Sequence, residues 1–94
     1  MKTIYVNSLV QRTDSNLIIS ELDNDLVMMD IESGSYLSLN KTGRIIWKQL
    51  VQPTLVADLI KNLVNRFSVD EKTCTEETLD FLNKIAGQKA LAIL

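Results

Sequence analysis

"DLVMMDIESGSYLSLN", residues 25–40, decides the fold. "LVMMDI" is extended in character, and "ESGS" (Glu32 to Ser35) supplies a glycine able to take positive φ. "YLSL" then alternates, with Leu37 and Leu39 on one face and Tyr36 and Ser38 on the other. Upstream, "NLIISEL" (Asn16 to Leu22) is rich in branched residues, and "DND" at 23–25 signals a turn. The pattern predicts a three-stranded antiparallel meander whose last strand ends where Asn40 caps a helix.

The second half has helical periodicity. In "KTGRIIWKQLV", Ile45, Ile46 and Leu50, with Trp47 beside them, form an apolar stripe, which Gly43 weakens. Pro53 precedes Thr54, the expected cap of "LVADLIKNLVNRF", where Leu55, Leu59, Ile60, Leu63, Val64 and Phe67 follow steps of three and four. A third helix is expected over Thr75–Ala86, with Glu76 and Glu77 suiting its N-terminus and Gly87 stopping it. "ALAIL" (90–94) is expected to pack on the domain as an apolar tail. On the third helix, Thr78, Leu82 and Ile85 centre the apolar arc, with Leu79 and Ala86 on one shoulder and Phe81 on the other. The fold class is α+β, a three-stranded antiparallel sheet followed by three helices that cover one of its faces.

Composition restricts the chemistry. The 94 residues suffice for a single domain, 1–94, with one core; residues 1–15 carry the weakest pattern and are expected to be loosely ordered. There is no histidine and one cysteine, Cys74, so no intrachain disulfide, no Ser-His-Asp triad and none of the common zinc sites can form. The three glycines, Gly34, Gly43 and Gly87, make no phosphate-binding loop. Neither a catalytic residue, a cofactor nor a metal ligand is expected, and the protein is read as not an enzyme. A net charge of −2 gives no general attraction to nucleic acid or acidic membranes. No apolar run approaches the roughly 20 residues of a membrane span, and "MKTIYVNSLVQRTDS" lacks a signal-peptide core, so the expected location is cytoplasmic.

If the strand "YLSL" lies at a sheet edge, its outer backbone groups lack a partner. At this point the residues resemble the PqqD-like family, the recognition elements that bind leader peptides of ribosomally made, modified peptides. The resemblance rests on the order Gly34, Tyr36, Leu37, Leu39, Asn40, Gly43, Ile46 and Trp47, continued by Thr54 and Leu59 and by Phe81, Leu82 and Ile85. It spans about residues 16–94; the family's "G-L" after the third helix is replaced here by Gly87-Gln88-Lys89-Ala90-Leu91. It implies a winged-helix-like arrangement in which a precursor leader adds as an antiparallel strand between the third strand and the third helix. Carried over, the peptide-binding residues are Tyr36, Leu37, Ser38 and Leu39 on the strand and Leu79, Leu82, Asn83 and Ala86 on the helix. The implied partners are the leader and a leader protease or other modifying enzyme. The short meander favours the lasso-peptide type over a chaperone of a radical-SAM enzyme.

A winged-helix DNA-binding or protein-interaction module is the alternative. The third helix speaks against DNA, because Glu76, Glu77 and Asp80 face Lys84 alone. Lys41, Arg44 and Lys48 share a face of the first helix, a pattern usual for a solvated surface.

Overall fold

Antiparallel pairing runs through both sheets of the computed structural model, which describes residues 3–13, 16–23 and 25–94. The elements in order are β1 (Leu9–Arg12), β2 (Leu17–Leu22), β3 (Asp25–Asp30), β4 (Tyr36–Leu39), α1 (Lys41–Gln49), β5 (Thr54–Leu55), α2 (Val56–Phe67), α3 (Glu71–Gly87) and β6 (Leu91–Ile93). The predicted meander is present as the sheet β2-β3-β4. Asn24, inside the predicted 23–25 turn, lies outside the described residues. Directly opposed residues share a face. Ile19, Met28 and Leu37 therefore line up toward the core, as do Leu26 and Leu39.

The expectation of one sheet is corrected to two. β1 sits at the centre of the second sheet, β5-β1-β6, so residues 1–15, expected to be loose, include its middle strand. Val10 is fully buried there. The apolar tail packs as expected, but as strand β6, whose Leu91–Ile93 pair with Arg12–Val10. Arg12 ties this sheet to α1: its guanidinium lies 5.0 Å from the Trp47 ring centroid and donates to the Trp47 carbonyl at 3.3 Å. Both pairings of β1 join segments more than 40 residues apart, so no local pattern announces them.

Three helix ends differ from expectation. Thr54 does not cap α2; it lies in β5, and its hydroxyl donates to the carbonyls of Gln49 and Gln52. The first N–H groups of α2 are met instead by backbone, Val56 donating to Ser8 and Ala57 to Val6. α3 begins one turn earlier than Thr75, because the Asp70 carboxylate accepts from the Thr73 N–H at 2.9 Å and caps it. The same bond holds the Asp70 carboxyl below its ordinary pKa, followed in weight by the bond from the Thr73 hydroxyl. Gly87 does not stop α3 by its own conformation. The left-handed residue is Lys89, φ 62°, with Lys89 N–H donating to Ala86 and Ala90 N–H to Ile85 in a Schellman motif.

Asn40 caps α1 as expected, accepting from the Gly43 N–H at 2.9 Å. The core is continuous across both sheets and all three helices, with Trp47, Leu50, Leu59, Leu82 and Ile85 among its innermost members. None of the described helices is long and apolar enough to cross a membrane.

Candidate peptide-binding site

β4 is an edge strand, with β3 on one side and no strand on the other among the described residues. Which backbone groups face the open side follows from the ladder. Asp30 N–H donates to the Ser35 carbonyl at 2.9 Å, making Asp30 and Ser35 a hydrogen-bonded pair. Alternation in an antiparallel ladder then makes Met28–Leu37 and Leu26–Leu39 bonded pairs as well. Tyr36 and Ser38 are left with N–H and C=O directed away from β3, two donors and two acceptors on the open edge.

The edge is held by the turn before it and by the end of α3. Buried Asp30 accepts from the Glu32 N–H at 3.1 Å and the Ser33 hydroxyl at 3.0 Å, and Gly34 takes φ 73° to complete the reversal. Gln88, nearly buried, donates from its side-chain amide to the Ser35 carbonyl. Lys89 donates to Glu32 at 3.1 Å and lies 4.0 Å from Asp30. Its pKa is raised above the ordinary value, chiefly by the hydrogen bond to Glu32. These contacts fasten the C-terminal end of α3 to the β3–β4 turn, just ahead of β4. At the other end Phe81 closes on β4: a Cβ added to Gly43 would lie 3.0 Å from the Phe81 ring and 3.3 Å from the Leu39 Cβ. A side chain at Gly43 would push the ring or Leu39 back by a few tenths of an ångström, so glycine lets α1, β4 and the ring approach closely.

Between these ties runs a cleft of about 300 Å³ lined by Leu37, Ser38, Leu39 and Asn40 on one side, Phe81 and Lys84 on the other, and Asp25 at its end. Of the predicted strand half, Leu37, Ser38 and Leu39 line this cleft, and Tyr36 lies outside its lining. Tyr36 and Ser38 are exposed, Leu37 is half-buried, and Leu39 is buried beneath them.

The helix half is not brought together with it. Leu82 is a core residue with no exposed surface. Leu79 and Ala86 pack against the core from the far shoulder, and exposed Asn83 donates back to the Leu79 carbonyl. At about 100° per residue, Phe81, Lys84 and Gln88 fall within an arc of roughly 60°. Leu79, Asn83 and Ala86 fall on nearly the opposite side. The expectation named Phe81 as the other shoulder, and the structure turns that shoulder to β4. The signal for Lys84 and Gln88 was their spacing from Phe81; what the sequence lacked was the side from which α3 crosses the strand.

The basic residues of α1 do not form a free stripe. Arg44 donates to the Asp23 carbonyl at 3.1 Å, and Lys48 lies 3.9 Å from Glu21, both toward the β2–β3 hairpin. Among the described residues no group of three or more His, Cys, Asp or Glu could hold a metal.

The class that this fold and edge define is given by a family match: the family described as coenzyme PQQ synthesis protein D (PqqD) matches residues 25–91, from the start of β3 to the start of β6. The chain belongs to the PqqD family. Among solved structures, one described as TbiB1 in complex with the TbiA(beta) leader peptide is similar to this chain, with a TM-score of 0.70 and 23% identity over 83% of this chain and 91% of that one. No curated protein matches.

Proposed function

We propose that the protein is a non-catalytic recognition element that binds the leader of a ribosomally made precursor peptide as an added strand on β4. The observation that carries this reading is the open backbone edge at Tyr36 and Ser38, with Ser38 on the cleft between β4 and α3, in a PqqD-family chain. The similar structure, described as a complex with a leader peptide, supports the same reading. An antiparallel strand would satisfy the outward N–H and C=O groups of both residues and place alternate side chains over Leu37 and Phe81. On the helix side the contacts proposed are Phe81 and Lys84, in place of Leu79, Leu82, Asn83 and Ala86.

Four backbone hydrogen bonds at about 1 kcal/mol each, with two or three buried side chains at about 2 kcal/mol apiece, give a gross gain near 10 kcal/mol. Ordering a flexible leader removes roughly 2–5 kcal/mol before association entropy. The remainder, about 3–8 kcal/mol before association entropy, caps the affinity near micromolar, with sequence choice residing in the side-chain contacts. The bound precursor would pass to a leader protease or another modifying enzyme in the cytoplasm, in the manner of lasso-peptide systems. A second reading, a partner of a radical-SAM enzyme, is favoured by the family's description, and co-purification with one enzyme class or the other separates the two.

Titration of 15N-labelled protein with the leader encoded beside it tests the reading. Amide signals of Tyr36–Leu39, Phe81 and Lys84 should move together and saturate. Saturating leader that leaves them unmoved sinks it.

A further inference from the structure

Beyond the β4 cleft lies a larger cavity, about 770 Å³, between α1, α2 and the N-terminal half of α3. Ile46, Leu63, Phe67, Cys74 and Phe81 give it an apolar interior. Two features connect it to the cleft. Asn40 and Phe81 line both spaces. A single shoulder of α3 also runs along both, with Thr73, Glu77 and Phe81 on the cavity and Phe81 and Lys84 on the cleft. These positions fall within roughly 80° of arc on the helix. The cavity lining includes two carboxylates, Asp70 and Glu77, and no cation. Asp70 is occupied as the cap of α3, whereas Glu77 forms no ion pair among the described residues.

We propose that this cavity is a second subsite for the same peptide, taking an aliphatic side chain next to a basic residue from the segment just ahead of the part paired with β4. The inference rests on the strand-addition reading. An antiparallel guest runs opposite to β4, so the residues preceding its paired segment leave past Leu39 and Asn40 and enter the cavity. From Phe81 to Cys74 the helix rises about 10 Å, a distance that roughly three extended residues span. The aliphatic residue therefore sits about three positions ahead of the residue paired with Ser38, between Ile46, Leu63 and Phe67. Its basic neighbour faces Glu77.

A displayed library of random twelve-residue peptides, panned on the wild-type protein, supplies the probe. Enriched peptides are then remade with fluorescein, and their affinities measured by anisotropy for wild type, Glu77→Lys, Thr73→Trp and Ser38→Pro, each checked for fold by circular dichroism. The expected winners carry Lys or Arg beside an aliphatic residue about three positions ahead of an alternating stretch. Glu77→Lys and Thr73→Trp should each weaken them about tenfold, and Ser38→Pro should abolish binding. Winners without the basic–aliphatic pair, or winners indifferent to both cavity variants while still lost in Ser38→Pro, overturn the subsite and leave strand addition standing. Winners that bind Ser38→Pro as tightly as wild type, or a library with no enriched sequence, overturn strand addition and the subsite with it.

Discussion

Phe81 and Leu82 are neighbours in sequence with opposite duties. Leu82 has no exposed surface and is held by the core, so Leu82→Ala should cost about 2–5 kcal/mol of unfolding free energy. Phe81 closes the cleft against Gly43 and Leu39, so Phe81→Ala should lower leader affinity about tenfold while costing less stability than Leu82→Ala. Chemical denaturation and calorimetric titration of the pair check this. The sequence made both residues apolar members of one arc. It could not say which shoulder meets β4, since that depends on how α3 crosses the sheet. At Asp70 the sign of the pH dependence follows from the depressed carboxyl. Its cap contributes fully above the ordinary value of 3.8 and is lost as pH falls through the lower folded value. Asp70→Asn keeps an acceptor without the charge, so its stability should fall less than that of wild type across that acidic window, as thermal melts at stepped pH would reveal.

At the scale of elements, β4 carries two kinds of amide in alternation. Leu37 bonds inward to Met28, whereas Ser38 points outward. Ser38→Pro removes an N–H that no strand uses, and proline is tolerated on such an edge, so the variant should fold and lose leader binding. Leu37→Pro breaks the ladder and should cost at least about 2 kcal/mol. Melting curves and binding isotherms of the two variants separate support from recognition. The elements that sequence revealed are those closed by local chemistry: the Gly34 turn, the Asn40 cap and the periodic stripe of α2. Those it concealed are closed at a distance. β1 and β6 each span three or four residues, and only their meeting across the length of the chain makes them strands. The start of α2 is hidden for the same reason, because carbonyls of Val6 and Ser8 do the work expected of a Thr54 side chain.

The whole molecule divides into a support and an edge. The sheet β5-β1-β6 joins the chain's two ends and, through Thr13, which donates from N–H and hydroxyl to Ala90 and Lys89, anchors the exit of α3. From there Gln88 and Lys89 reach the β3–β4 turn, so the part of the fold that was hidden in the sequence is also what sets α3 against β4. On the proposed function, this edge is open in the free protein and filled by a leader strand in the complex. Amide hydrogen exchange at single residues tests it most directly. In the free protein, Leu37 and Leu39 should exchange slowly and Tyr36 and Ser38 fast. Saturating leader should slow Tyr36 and Ser38 by at least about tenfold and leave the ordering of the other two unchanged. Bound leader with Tyr36 and Ser38 still exchanging at their free rates would contradict the account.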